Sequence, residues 1–169
     1  MTRKENTEMT APAVGIVMGS DSDLETMKKC AEQLKAFGVT CEMRIISAHR
    51  TPVVAHEYAT SAAGRGVKVI IAAAGMSAAL SGVLAANTTL PVIGVPMASG
   101  PLSGVDAALS TMQMPPGVPV ACMAVNGAVN AAIFAAQILA TSDRTLAARL
   151  EQFKKDQADK VIEKDRAIQ

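Results

Sequence analysis

Tryptophan is absent from this chain of 169 residues, tyrosine occurs once and phenylalanine three times. So few rings leave no platform on which bases could stack, and nothing broad and flat to cover a flavin. Charge of one sign is missing as well: 16 Lys and Arg against 15 Asp and Glu give a formal net charge of +1, which supplies no basic field for nucleic acid. Cys30, Cys41 and Cys122 are odd in number and include no C-x-x-C pair, which argues against a disulfide framework or a zinc site and for a reducing, cytoplasmic setting. The opening "MTRKENTEMTAP" has no apolar h-region, so residues 1–12 are expected to be a disordered lead-in rather than a signal peptide or membrane anchor. Neither G-x-x-x-x-G-K-[ST] nor G-x-G-x-x-G occurs, which disfavours ATP and NAD.

What is present is small and apolar. Half of the residues are hydrophobic, and alanine, valine, isoleucine, leucine and methionine dominate. So much apolar surface on so short a chain suggests that some is buried between subunits. From residue 13 onward, short apolar runs alternate with helical patterns, and each run ends in glycine, serine or proline. The runs at 13–18, 40–46, 67–74, 91–96 and 118–125 read as strands; the stretches at 22–37, 52–64, 77–88, 104–112 and 128–140 read as helices. Strands apolar on both faces and joined by crossover helices describe a three-layer, doubly wound parallel α/β sheet of flavodoxin-like type, with one catalytic domain over 13–141. Residues 142–169 form a charged helix whose Leu146, Leu150, Phe153 and Val161 fall near one stripe, expected to pack on the body or on a neighbouring subunit.

In open α/β sheets ligands bind beyond the carboxyl ends of the strands. The first such loop, "GSDSD" (19–23), offers free backbone N–H groups and hydroxyls to an anion, with Asp23 suited to ribose hydroxyls. The same residues also fit a capping box, Ser22 as cap and Glu25 reaching back. The second loop, "SAHRTP" (47–52), brings the Ser47 hydroxyl and the planar Arg50 fork that a phosphate would take, with His49 on the same turn. Imidazole is the side chain suited to moving a proton both ways near neutral pH. The other histidine, His56, sits in a polar helical stretch without a motif and reads as exposed or structural. The third loop, "AAGMSAALSG" (73–82), has no titratable group; Gly75 and Gly82 are expected to permit unusual backbone angles and close approach to a ligand, and the methyl-rich remainder to exclude water.

Together, "GSDSD", "SAHRTP", "PVIGVP", "LSGVDAALSTMQMPPGVPVA" and "NAAIFAAQILA" resemble the aminoimidazole ribonucleotide carboxylation enzymes of purine biosynthesis, over about residues 13–150. The resemblance implies a homo-octamer acting on a small ribonucleotide and CO2 without metal, ATP, biotin or any other cofactor. It places the 5′-phosphate on Ser20, Ser47 and Arg50 and the ribose on Asp23, with Ser22 supporting the first loop. Ala48, Gly75, Ser77, Ala78 and Leu80 complete the implied substrate-binding set, and His49 is the general acid/base. One branch, the mutase, moves a carboxylate of N5-carboxyaminoimidazole ribonucleotide from nitrogen to ring carbon; the other carboxylates aminoimidazole ribonucleotide directly with CO2. The mutase pattern in the third loop is A-G-G-A-A-H-L-P-G, whereas this chain reads A-G-M-S-A-A-L-S-G, so that the family histidine is Ala79 and the proline Ser81. The direct carboxylases also lack that histidine and carry a serine near Ser77. The bulk of the motifs thus favours the mutase and the third loop the carboxylase. A non-catalytic flavodoxin-like nucleotide-binding module is the reading from another class.

Overall fold

The computed structural model describes residues 11–169; the lead-in expected over 1–12 falls almost wholly outside the described residues. Five strands, β1 (Val14–Met18), β2 (Cys41–Ile45), β3 (Val69–Gly75), β4 (Val92–Met97) and β5 (Ala121–Cys122), form one parallel sheet in the order β2-β1-β3-β4-β5. Between and after them run α1 (Leu24–Ala36), α2 (Pro52–Ala62), α3 (Leu80–Ala85), α4 (Val105–Met112), α5 (Ala128–Ala140) and α6 (Arg144–Arg166). The fold is the doubly wound α/β sheet that the alternation of runs predicts.

Side chains one residue apart on a strand face opposite ways, so each central strand feeds two cores. Ile16 and Met18 of β1, Ile71 and Ala73 of β3, and Ile93 and Val95 of β4 pack under α1 and α5. Val17, Ile70, Ala72 and Val92 pack on the opposite face, against α2 and α3. Complete burial of each Val or Ile removes enough apolar surface to contribute roughly 1.5–3 kcal/mol. Ala131, Ala132 and Ala135 are fully buried, which shows what the alanine richness of α5 is for: a helix without bulk can lie close to the sheet. Two glycines do the same from the sheet side. A Cβ on Gly15 would strike the Tyr58 hydroxyl, which reaches across β1 to Glu42 Oε1 at 2.8 Å, and one on Gly94 would strike Thr111 of α4.

Several expectations need correction. Strand β2 is not apolar on both faces: it lies at the sheet edge, with Arg44 and Ile45 exposed. The fifth strand is only two residues of the expected eight-residue run, because Pro119 has no N–H and the segment before it turns, Val118 N–H donating to the Pro115 carbonyl at 3.2 Å. Helix α3 begins at Leu80 rather than 77, since Met76 (φ 55°) and Ala78 (φ 24°) hold positive φ that no right-handed helix accepts. In α6, Asp143 caps the first turn by accepting from Leu146 N–H at 3.0 Å. Leu146 and Leu150 are buried on Phe37 and Ala136, and Phe153 meets Phe37 edge-on with centroids 5.2 Å apart. Val161 leaves that stripe and is exposed, as is everything beyond Phe153. Among the described residues, no helix is long and apolar enough to cross a membrane.

Candidate active site at the carboxyl ends of the strands

Chain order reverses at β1: β2 lies on one side of it and β3 on the other. Loops leaving β1 and β3 therefore diverge and open a crevice at the carboxyl edge. A cavity of about 460 Å³ lies there, walled by the loops after β1, β2, β3 and β4.

The first loop is anchored by Gly19 N–H, which donates to the Ala73 carbonyl at 3.0 Å. It then makes a short 3₁₀ turn (Asp21–Asp23) capped by Ser20, whose Oγ accepts from Ser22 N–H at 3.3 Å. The capping box does not form. Ser22 Oγ donates instead to Asp23 Oδ1 at 3.2 Å, and Glu25 pairs with Lys28 at 2.6 Å on the surface. Asp23 occupies the N-cap position of α1 without a side-chain bond to the helix, and its residue is only 6% exposed. Burial pushes its carboxyl above the ordinary value; the Ser22 bond pulls the other way, and Asp21 adds to the rise. A buried carboxylate with one neutral donor is a group prepared for a further donor, such as a hydroxyl.

The second loop is a tight turn. Thr51 N–H donates to the Ser47 carbonyl at 2.9 Å, Ser47 N–H to Thr51 Oγ1 at 3.0 Å, and Arg50 N–H to Ser47 Oγ at 3.1 Å. Pro52 takes the first helical position of α2, where its missing N–H costs nothing. The Arg50 guanidinium reaches over the first loop to the Gly19 carbonyl at 3.2 Å, so both loops carry one polar cluster. Between Ser47 and Arg50 the turn projects His49, exposed on the cavity wall, with Ala48 half-buried beneath. His56 is elsewhere: its Nδ1 lies 2.8 Å from Asn87 Oδ1, a tie between α2 and the end of α3.

The opposite wall is built from Gly75, Ser77, Ala78, Ala79 and Leu80, with Met76 at its rim. Every site residue expected from the sequence thus lines this one cavity. The unusual backbone angles expected at the two glycines do not occur there, however. Neither Gly75 nor Gly82 has a positive φ; the unusual angles belong to Met76 and Ala78. Ser99 occupies the space of a Cβ at Gly75, and the end of the Met114 side chain lies 3.2 Å from where one would be at Gly82. Ser99 itself, in the loop after β4, also lines the cavity and was not anticipated; only its position after a strand end signals it. Among the described residues no group of three or more His, Cys, Asp or Glu is placed to hold a metal ion.

Comparisons with known proteins agree on one family. The family model for AIR carboxylase matches residues 13–160. The chain is 53% identical over 145 residues to N5-carboxyaminoimidazole ribonucleotide mutase of Pyrococcus abyssi, covering 86% of this chain and 83% of that one. It is 48% identical to the chloroplastic phosphoribosylaminoimidazole carboxylase of Vigna aconitifolia over 94% of its own length, spanning 28% of the plant protein. Among solved structures, Treponema denticola PurE superposes with a TM-score of 0.84 at 34% identity, covering 92% of this chain and 97% of that one.

Proposed function

The chain belongs to the AIR carboxylase family and is an enzyme of its mutase or carboxylase type, and from that premise we propose that it is an N5-carboxyaminoimidazole ribonucleotide mutase with His49 as general acid/base. The observation that carries this reading is the meeting of His49, Arg50, Ser47, Ser20 and Asp23 around one cavity. Ser20, Ser47 and Arg50 bind the 5′-phosphate, Asp23 accepts from the ribose, and Ser22 holds Asp23. A phosphate anchored there sets the ring beside His49, which turns an encounter into a positioned reaction.

In the first half-reaction the His49 imidazolium gives its proton to N5, the N5–carboxylate bond breaks, and CO2 and aminoimidazole ribonucleotide form. The ring carbon C4 then attacks CO2, and neutral His49 removes the proton left on C4, restoring both the aromatic ring and the imidazolium. One proton passes from C4 to N5 overall, through one histidine. The apolar wall of Ala78, Ala79 and Leu80 gives CO2, a small neutral molecule, no polar group to react with while it waits.

Direct carboxylation of aminoimidazole ribonucleotide is the second reading, favoured by Ala79 at the position of the family histidine and by Ser77 beside it. Product formation decides between them: rapid conversion of N5-carboxyaminoimidazole ribonucleotide is expected, with aminoimidazole ribonucleotide requiring very high bicarbonate. Efficient use of the second pair with little use of the first makes the chain a direct carboxylase. A homo-octamer in the cytoplasm completes the proposal, supported by the exposed apolar side chains of Val105, Leu109 and Met112 on α4. A monomer by light scattering would overturn the assembly.

A further inference from the structure

One hydroxyl on the wall opposite His49 has no task in this scheme. Ser99 is half-buried, lines the cavity, and has no hydrogen-bond partner for its side chain among the described residues. Its placement is built. A Cβ on Gly75 would collide with Ser99 Oγ and come within 3.0 Å of Ser99 Cβ, while the Gly75 backbone has no positive φ that would itself call for glycine. The neighbouring contact is the reverse. Met76 packs on Gly100, where a Cβ would lie 3.3 Å from Met76 Cγ. Met76 and Gly100 both hold left-handed conformations, at φ 55° and 69°. Ser99 over Gly75 and Met76 over Gly100 together press the loop after β4 onto the loop after β3.

The rest of that wall is nearly without polar side chains: beyond Gly75 it offers Met76, Ala78, Ala79 and Leu80, and only Ser77 and Ser99 bring hydroxyls. Phosphate on the Arg50 side leaves the heterocycle and its carboxylate to face this wall. We propose that Ser99 is a substrate-contacting residue that donates its hydroxyl hydrogen to the carboxylate at ring carbon C4, and that Gly75 is small in order to seat it. The proposal rests on the ribonucleotide reading of the cavity. A donor to an ionised acceptor at a site poor in other polar side chains is at the strong end of hydrogen bonding.

Equilibrium binding of three ligands tests it: ribose 5-phosphate, aminoimidazole ribonucleotide, and the 4-carboxylated ribonucleotide. Ser99→Ala is expected to weaken the carboxylated ligand about tenfold or more, while the two ligands without a carboxylate bind as to the wild type. Gly75→Ala, which evicts the hydroxyl, is expected to erase the same discrimination. Equal binding of the carboxylated ligand by wild type and Ser99→Ala, or an equal weakening of all three ligands, overturns the contact. Retained discrimination in Gly75→Ala overturns the seating. If the wild type holds none of the three, the ribonucleotide reading itself falls and takes this contact with it; if it binds all three and Ser99→Ala changes nothing, only the contact falls.

Discussion

On the wall formed by the loops after β1 and β2, side chains fix the backbone: Ser20 caps a turn, Ser47 and Thr51 close another, and Arg50 ties the two together. On the wall formed by the loops after β3 and β4, the backbone itself is in uncommon conformations at Met76, Ala78 and Gly100, and it is held by cross-loop packing. The first wall presents charge and hydroxyls, the second mainly apolar side chains with the two hydroxyls of Ser77 and Ser99. A ribonucleotide has the same division, a dianionic phosphate with a polyol at one end and the reacting carbon at the other. On the proposed reading the polar wall supplies most contacts to the ribonucleotide together with His49, and the apolar wall holds CO2 beside them.

The sharpest break in this comparison is expected at His49, which belongs to the polar wall by position and to the reaction by its proposed role. His49→Asn should lose about a hundredfold or more in kcat, with an unchanged melting midpoint, because the side chain is exposed and makes no structural bond among the described residues. Steady-state kinetics with thermal melting checks both; near-normal turnover removes His49 from the mechanism. Next comes Arg50→Ala, expected to raise KM about tenfold or more with a smaller change in kcat, since the proposed charge-assisted phosphate contact would be lost. An unchanged KM would put the phosphate elsewhere.

Asp23 gives a pH-dependent contrast. Its pKa is raised above 3.8 by burial, so the folded state holds its proton more tightly than the unfolded chain. Stability from this group is therefore present at low pH, falls as pH rises from 3.8 through the raised folded value, and stays lower above it. Asp23→Asn removes that loss: at pH 7 its melting midpoint should rise by about 2 °C while KM for the ribonucleotide also rises. A lower midpoint at pH 7 would mean that Asp23 is structural rather than reserved for substrate. The smallest effect is expected on the strained wall, where Met76→Gly trades a left-handed penalty against chain entropy and should stabilise by only about 0.5 kcal/mol, measured by denaturant unfolding. A clear loss of stability there would show that the Met76–Gly100 contact outweighs the strain.

The same division decides what the sequence makes legible. Most bonds of the polar wall span five residues or fewer, so "SAHRTP" announces its tight turn, whereas "GSDSD" is capped by Ser20 instead of the box that Ser22 and Glu25 suggest, and the Arg50–Gly19 bond that joins the loops spans 31 positions. Central strands are legible for a similar reason, since apolar runs end in turn formers. Ser99 is not, because it joins the site only when β4 pairs beside β3, and no local pattern marks that approach. At Gly75 the unusual angle does not occur, and what stands in the place of a Cβ is a residue 24 positions away, which no local pattern shows. The short β5 and the late start of α3 follow from Pro119 and from positive φ at Met76 and Ala78, where local geometry overrides an apolar run.

The most direct test of the central claim, that a carboxylate leaves nitrogen and is recaptured at carbon within one cavity, uses N5-carboxyaminoimidazole ribonucleotide carrying ¹³C in its carboxylate, turned over in excess unlabelled bicarbonate. Most of the label is expected to be retained in the 4-carboxylated product. Label diluted to the level of the surrounding bicarbonate would contradict that claim, since the CO2 captured at C4 would then come from solution.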